Sequence, residues 1–141
     1  MNVLIIGSPD DVRINLFQQA LYQLGLQPAT VLSYADVLND RDLLSNTIQQ
    51  NTIIRIESPG KDPEQTATIL SAGGVLADQI HSIVYDKGRL LPYQQWYRGF
   101  AFILTVIQTS AMKSQHTVHW MNHPADILEM FDKRMCHKRL H

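Results

Sequence analysis

The alternation of short apolar segments with helix-length amphipathic segments is the sequence feature that most constrains the fold. Val3–Ile6 is a continuous apolar run that stops at Gly7-Ser8-Pro9, the pattern of a strand buried on both faces of a parallel sheet. A helix should follow directly, because Asp10 or Asp11 can cap it and Gly25 can end it. Further strands are predicted at residues 29–32, Thr52–Ile56 and 117–121.

Helical periodicity fills the segments between these strands. We expect the core-facing side of the first helix to consist of Val12, Leu16, Phe17, Ala20, Leu21 and Leu24. Residues 36–50 have a weaker helical pattern with a break at Asp40-Arg41-Asp42, and Pro63–Ala72 fits a short helix ended by Gly73-Gly74. The longest helix is predicted at residues 92–112, with a core-facing stripe of Trp96, Phe100, Ile103, Leu104, Ile107 and Ala111.

Strands and helices that alternate at these lengths imply right-handed βαβ units. The sequence therefore predicts an α/β fold of three layers, in which helices cover both faces of a mostly parallel, Rossmann-like sheet. Residues 75–91 have no clear pattern apart from a turn at Asp86-Lys87-Gly88. No internal repeat or linker interrupts the chain, so a single domain over residues 1–141 is expected.

Composition and charge narrow the classes of partner. The 141 residues carry a formal net charge of −1, which disfavours nucleic acid because its binding proteins have a basic footprint. The longest apolar run, at residues 99–107, is far shorter than the roughly 18 residues that a membrane span needs. The single cysteine, Cys136, excludes an internal disulfide framework and fits a reducing compartment. We expect a soluble, cytoplasmic protein with neither nucleic acid nor membrane as partner.

The turn after the first strand lies where open α/β sheets usually hold ligands. Gly7 and Ser8 could offer backbone amides to an anion, but a dinucleotide fingerprint needs more than one glycine there. Asp10 and Asp11 also neutralise the positive end of the helix dipole, so capping is favoured over phosphate binding. The acidic pair resembles that of phosphoacceptor receiver domains as well, but the third strand ends in Glu57-Ser58-Pro59, without an acceptor Asp.

Arg55 and Glu57 alternate with apolar residues at the end of the third predicted strand. A strand in a parallel sheet is usually apolar throughout, so charges near its carboxyl end face a ligand crevice, a domain interface or each other. Together with Gly7 and Ser8 they are the candidate substrate-binding residues of this chain.

Histidines raise the alternative of a metal site. Five of the six, accompanied by Cys136, lie near the C-terminus: His116, His119, His123, His137 and His141. The first pair at helical spacing, His119 and His123, spans a strand and a proline turn, and the second, His137 and His141, lies on the last turn of a helix. A structural zinc site needs four ligands, so we expect no metal, and a metal-binding module is the third hypothesis.

The final helix follows the turn Asn122-His123-Pro124 and ends in the basic cluster Lys133, Arg134, Lys138 and Arg139. Cations near a helix C-terminus complement its dipole, whereas a lysine ammonium is also suited to contact a phosphate oxygen. The charge pattern favours the dipole interpretation, although spacing alone leaves both open. Because Met135, Cys136 and Leu140 still need cover, we expect this chain to be the front part of a longer protein.

Three segments resemble the front part of a bacterial branch of the ATP-grasp superfamily: RIESPGKD at residues 55–62, LLPYQQWYRGF at 90–100 and MNHPADILEMFDKRMCHKRL at 121–140. The most specific match is a strand, an Asn-x-Pro turn and a helix ending in Asp-Lys, carried by Asn122, Pro124 and Asp132-Lys133. The resemblance implies the pre-ATP-grasp domain of an ATP-dependent carboxylate–amine or carboxylate–thiol ligase. Its cofactors would be ATP and Mg²⁺, bound in the full-length protein.

The resemblance also implies residue roles. Lys133 would approach the ATP phosphates, and Gly7, Ser8, Arg55 and Glu57 would lie near a small-molecule substrate. The glycine-rich lid, the second lysine and the Mg²⁺ ligands of the family have no counterpart before His141. We therefore expect neither ligase activity nor cofactor in this chain alone, and a C-terminal ATP-grasp domain as its partner. The rival hypothesis is a free-standing, flavodoxin-like binding module that forms a specific complex or a homodimer.

Overall fold

A parallel sheet of four strands forms the centre of the molecule. The structure is a computed structural model that describes residues 1–86, 88 and 90–132. The strands are β1 (Val3–Ile6), β2 (Thr30–Leu32), β3 (Thr52–Ile56) and β4 (Val118–Trp120), in the spatial order β2-β1-β3-β4. All three neighbouring pairs are parallel. Both inner strands have the bounds predicted from their apolar runs.

The described part of the chain contains seven helices, of which the first six connect the strands and the last follows β4: α1 (Val12–Gln23), α2 (Tyr34–Asn39), α3 (Arg41–Thr47), α4 (Pro63–Ala72), α5 (Ala77–Tyr85), α6 (Tyr93–Lys113) and α7 (Pro124–Phe131). Among the described helices, only α1 packs on one face of the sheet, where Ile14 and Leu21 meet Val3 and Ile5. Helices α2 to α7 all contribute to the core on the other face. The predicted three-layer α/β fold with a Rossmann-like sheet is confirmed.

The handedness of the connections between parallel strands explains why α1 lies on one face of the sheet and the other described helices lie on the opposite face. The chain passes from β1 to β2 in one direction along the sheet and then returns past β1 to β3 and β4. Because parallel crossovers are right-handed, reversing direction moves the connecting helices to the opposite face. The reversal lies between β1 and β3, and such a topological switch point leaves a crevice at the carboxyl ends of the two strands.

Local capping explains where several helices begin. Asp11 is the N-cap of α1, and its side chain accepts a hydrogen bond from the Arg13 amide at 2.7 Å. The predicted break in residues 36–50 falls at Asp40, which ends α2 and caps α3 through the amides of Asp42 and Leu43. A capped start satisfies amides that the first turn of a helix leaves without partners. Helix α5, by contrast, was not predicted.

The prediction for the core-facing side of α1 is wrong in part. Val12, Leu16 and Leu24 are 69%, 58% and 73% exposed, and the buried residues of the helix are Ile14 and Leu21, with Phe17 packed beside them. Apolar residues occur almost all round this helix, so periodicity does not select one face. The contact with β1 and β2 selects it. In α6 the predicted stripe is confirmed, since all six of its residues are buried.

Helix α7 ends the described part of the structure. It packs against α6, and Phe131 contacts the rings of Trp96 and Phe100 at centroid distances of 5.4 and 5.2 Å. The predicted continuation with Lys133 and the remaining basic cluster lies outside the described residues. None of the described helices combines the length and apolar character required to cross a lipid bilayer.

Candidate functional site at the carboxyl edge of the sheet

The crevice at the topological switch point brings polar side chains together. Strand β1 ends there between its two neighbours: the Gly7 amide donates to the Leu32 carbonyl at 2.9 Å, and the Ile6 carbonyl accepts from the Glu57 amide at 2.8 Å. Glu57 therefore leaves β3 directly beside Gly7. A Cβ atom at Gly7 would lie 2.9 Å from the Glu57 Cβ, so glycine permits this close approach.

Glu57 is the centre of the cluster. Its side chain is only 6% exposed, and its carboxylate accepts a hydrogen bond from the Arg55 Nε and lies 3.6 Å from an Arg13 guanidinium nitrogen. A buried carboxylate requires such partners, because removing a charge from water is costly unless it is paired. The predicted residues Arg55 and Glu57 thus form a mutual ion pair, and α1 supplies a second cation to it.

Arg55 is held in place by two contacts. Besides its pairing with Glu57, its guanidinium carbon lies 4.8 Å from the centre of the Phe17 ring, a cation–π contact. Its side chain is 30% exposed. Among the described residues no acceptor is bound to its two terminal nitrogens. Arg55 therefore supplies a fixed guanidinium to the cleft that it lines at this edge of the sheet.

Arg13 lines both of the clefts that lie at this edge of the sheet. It donates to the Asp11 carboxylate at 2.6 and 3.0 Å and to the Ser58 carbonyl at 3.1 Å. The hydrogen bond from Arg13 holds the pKa of Asp11 below its ordinary value. Through these hydrogen bonds Arg13 connects the first turn of α1 to the turn after β3.

Tyr34 fixes the backbone of Glu57 from the other side of the sheet. This buried residue at the start of α2 donates its hydroxyl to the Glu57 carbonyl at 2.5 Å and packs its ring against Phe100. Burial raises the pKa of the Tyr34 hydroxyl well above its usual range, so the hydroxyl stays protonated and remains a donor.

The larger of the two clefts at this edge has a volume of about 350 Å³ and contains the Arg55–Glu57 pair. Its lining consists of Arg13, Arg55, Ile56, Glu57, Ser58, Met121 and Asn122. Two guanidiniums thus face one carboxylate, and Asp11, which also pairs with Arg13, lies in the adjoining cleft. The arrangement can receive the acceptor oxygens of a small anion.

Asn122 forms the floor of that cleft by extending the sheet beyond β4. Its side-chain amide donates to the Ile56 carbonyl at 2.6 Å, and its side-chain oxygen accepts from the Ile56 amide at 2.9 Å. The side chain therefore replaces a strand residue in the ladder. His123 then caps α7 by accepting from the Ala125 amide at 3.1 Å, and Pro124 occupies the first turn. These contacts explain why an Asn-x-Pro turn follows β4.

Ser8 lies in the adjoining cleft of about 290 Å³, which Asp10, Asp11 and Asp62 also line. Its hydroxyl donates to Asp62, the N-cap of α4. The Gly7 amide is already bonded to β2, and three carboxylates line the space around Ser8. This turn therefore does not form a cradle of free amides for a phosphate, in agreement with the capping interpretation.

The structure brings the four predicted residues to one edge but into different roles. Arg55 and Glu57 line the larger cleft, Ser8 lines the smaller one, and Gly7 provides the close contact of β1 with β3. Lys133 lies outside the described residues.

Sequence reasoning missed three contributors to the site, which are Arg13, Tyr34 and Asp62. Only Asp62 had a local signal, because it precedes Pro63 at a helix start.

The described residues do not by themselves fit ATP or Mg²⁺. Within the described ranges no group of three His, Cys, Asp or Glu side chains is arranged to hold a metal ion, and the acidic lining around Ser8 would repel phosphates. His119 and His123 do not converge either: His119 contacts Asn51, and His123 caps α7.

Fold and site together define a three-layer, Rossmann-like α/β domain with a polar cleft at the carboxyl ends of β3 and β4. Comparisons of the chain with protein-family models, with curated proteins and with solved structures gave no match.

Proposed function

We propose that the cleft around Arg55 binds a small carboxylate, and that the chain is the substrate-side domain of an ATP-dependent carboxylate–amine or carboxylate–thiol ligase of ATP-grasp type. The single observation that carries the binding site is the Arg55 guanidinium, which lines the cleft and is held in place by Glu57 and Phe17. The ligase class rests on the resemblance of three sequence segments. The chain has a single cysteine, which favours the cytoplasm as the location of the protein.

Preorganisation makes Arg55 suited to this role. A guanidinium presents its N–H donors in a planar fork that matches both oxygens of a carboxylate. Glu57 occupies the Nε side of that fork, and the Phe17 ring supports its plane. Little conformational entropy is then lost when a ligand binds, because the side chain is already fixed. Ser58 and Asn122 border the same space and supply polar groups for the rest of the ligand.

In the proposed reaction, this chain binds and orients the carboxylate that is to be activated. ATP and Mg²⁺ would supply the phosphoryl chemistry in the full-length protein, through the C-terminal ATP-grasp domain. Lys133, outside the described residues, keeps its proposed role at the nucleotide phosphates.

Titration of the isotopically labelled chain with acetate, succinate and inorganic phosphate tests the binding site. We expect the carboxylates to shift the Arg55 Nε resonance and the backbone resonances of Glu57 and Asn122 in a saturable manner. Arg55→Gln should abolish the shifts of the Glu57 and Asn122 resonances, whereas the control Arg98→Gln, which changes an exposed arginine on α6, should retain them.

Two results would overturn the binding proposal. Either carboxylates leave the cleft resonances unchanged, or the shifts persist in Arg55→Gln. Saturable shifts with phosphate and none with carboxylates would refute the ligand class.

A flavodoxin-like interaction module is the second candidate function. It is favoured by one specific observation, the exposure of the apolar side chains Val12 and Leu16 on α1 and of Leu24 at its C-cap. Such a module would bind another protein surface.

A further inference from the structure

The Glu57 carboxylate is nearly enclosed, yet only one of its oxygens is hydrogen-bonded to the described residues. Its side chain is 6% exposed, and Oε1 accepts a hydrogen bond from the Arg55 Nε. The other oxygen, Oε2, lies 3.6 Å from an Arg13 nitrogen, which is too far for a hydrogen bond. Within the described ranges, only Gln65 Nε2 is a fully enclosed polar side-chain atom that lacks a hydrogen bond. Oε2 is therefore not fully enclosed and can still accept one.

Unused hydrogen-bond donors lie close to this acceptor. The Arg55 Nε is bound to Glu57, whereas its two terminal nitrogens have no acceptor in the part of the chain that the structure describes. Because Nε and Oε1 are in direct contact, the terminal nitrogens of Arg55 lie within about 7 Å of Oε2. Both residues line the larger cleft. The cleft therefore combines guanidinium donors and a carboxylate acceptor at short range.

The charges around the larger cleft balance one another. Asp11, Arg13, Glu57 and Arg55 form a continuous chain of ion pairs with two carboxylates and two guanidiniums. A ligand that carries only a carboxylate adds a negative charge that no member of this chain balances. Since partly buried charges are costly unless they are paired, the cleft favours a ligand whose own charges sum to zero over a plain anion.

We propose that the ligand of the larger cleft is an α-amino acid, whose carboxylate binds the terminal nitrogens of Arg55 while its ammonium group donates to Glu57 Oε2. This inference rests on the proposed carboxylate site and specifies its ligand class. One carbon separates the two charged groups of an α-amino acid, so with a hydrogen bond of about 2.8 Å at each end it matches a donor and an acceptor within about 7 Å of each other. A longer ω-amino acid would have to bend back on itself, at a cost in conformational entropy.

An ammonium group suits Oε2 better than a neutral donor does. It carries three N–H donors and a full positive charge, and hydrogen bonds between charged groups are roughly twice as strong as those between neutral ones. Arg13 does not fill this position, because its Nε and one terminal nitrogen are bound to Asp11 and to the Ser58 carbonyl. The anchoring of Arg13 thus leaves room beside Oε2 for a donor from the ligand.

Three matched small molecules test the inference in the wild-type chain. L-Alanine and propionate share one carbon skeleton and differ by the ammonium group, whereas ethylamine carries an ammonium group without a carboxylate. We expect L-alanine to bind at least about 10-fold more tightly than either of the others, because only it forms both charged hydrogen bonds. Titrations followed by the resonances of the Arg55 Nε and the Glu57 side-chain carboxyl carbon measure the three affinities.

Glu57→Gln removes the charge and retains an oxygen that can accept from Arg55. This variant should bind L-alanine no more tightly than propionate, and it should bind propionate more tightly than the wild type does, because its ion-pair chain has an excess positive charge. The matched control is Glu64→Gln, which changes an exposed residue in the first turn of α4 that lines neither cleft. It should keep the preference for L-alanine. Far-ultraviolet circular dichroism establishes that both variants are folded, and the wild-type comparison does not depend on them.

The possible failures distinguish this inference from the carboxylate site on which it rests. Propionate that binds the wild type as tightly as L-alanine overturns the amino-acid inference and leaves the carboxylate site in place. A preference for L-alanine that persists in Glu57→Gln overturns the role of Glu57 and with it the inference. If neither L-alanine nor propionate binds at the cleft, or if ethylamine binds as tightly as L-alanine, both proposals fail.

Discussion

Replacing Gly99 by alanine should destabilise the fold strongly, although alanine is the better helix former. Helices α4 and α6 approach each other where Gly73 and Gly99 meet. A Cβ atom at Gly99 would lie 1.8 Å from the Ile69 carbonyl oxygen, and one at Gly73 would lie 1.9 Å from the Gln95 carbonyl oxygen. Both obstacles are main-chain atoms, so no change of rotamer relieves the overlap.

The structure sets the scale of this effect. A carbon and a carbonyl oxygen normally approach no closer than about 3.3 Å, so α4 and α6 would have to separate by about 1.5 Å. The separation loosens the packing of Ile69, Trp96 and Phe100, which are buried at this contact. Overpacking of this kind costs roughly 3 kcal/mol or more, while the better helix propensity of alanine returns about 1 kcal/mol. A net loss of at least about 2 kcal/mol is a large part of the stability of a small domain.

Urea unfolding followed by circular dichroism measures the loss as a lower midpoint at unchanged slope. Gly74→Ala is the matched control, because Gly74 has a φ of 92° and no atom within 4 Å of its Cβ position. It should lose only about 1 kcal/mol, the cost of a left-handed backbone for alanine. In the double variant Gly73→Ala/Gly99→Ala, a single separation relieves both overlaps. The combined loss should therefore be smaller than the sum of the two.

A Gly99→Ala protein as stable as the wild type would refute this reasoning. That result would mean that helix propensity outweighs the contact, and that α4 and α6 are not held at main-chain distance. Strictly additive single and double variants would show that the two glycines do not share one contact.

Three further predictions concern the site. Burial raises the pKa of Tyr34, so its stabilising contribution is complete below about pH 10 and is lost as the pH rises toward the raised value. Unfolding at alkaline pH should show this loss in the wild type and not in Tyr34→Phe. The hydrogen bond from Arg13 lowers the pKa of Asp11, so its contribution is present above about pH 4 and is lost on acidification through the lowered value. The acid-unfolding curve of Asp11→Asn should be correspondingly flatter. Asn122→Ala should lower the free energy of unfolding, measured in urea, by about 2–4 kcal/mol, because it leaves the buried Ile56 amide and carbonyl without partners. The control Asn39→Ala, at an exposed position, should be nearly neutral.

Local patterns in the sequence were sufficient for the order and type of most elements. A continuous apolar run defines β1, and the β-branched run at Thr52–Ile56 defines β3. Asp11 and Asp40 act as caps through amides two or three residues away, so the sequence contains all that these helix starts require. The alternation of elements then fixed the fold class, since right-handed crossovers leave few topologies for it.

The clustering at the carboxyl edge depended on the tertiary structure. The sequence identified Arg55 and Glu57 as charges in a strand that should be apolar, but it gave no sign that Arg13, 42 residues before Arg55, would share Glu57 with it. The direction of the chain reversal decided that α1 and the end of β3 lie side by side. Pairing at such a distance along the chain leaves no local pattern to detect.

The orientation of α1 shows the same division between local and tertiary causes. Its local sequence determined that it is a helix with apolar side chains around most of its circumference, whereas the strands beneath it determined that Ile14 and Leu21 are buried while Val12 and Leu16 are not. Helix formation depends on neighbours a few residues apart, which the sequence records directly. Burial depends on which surfaces the completed sheet offers, and these exist only once distant strands have paired.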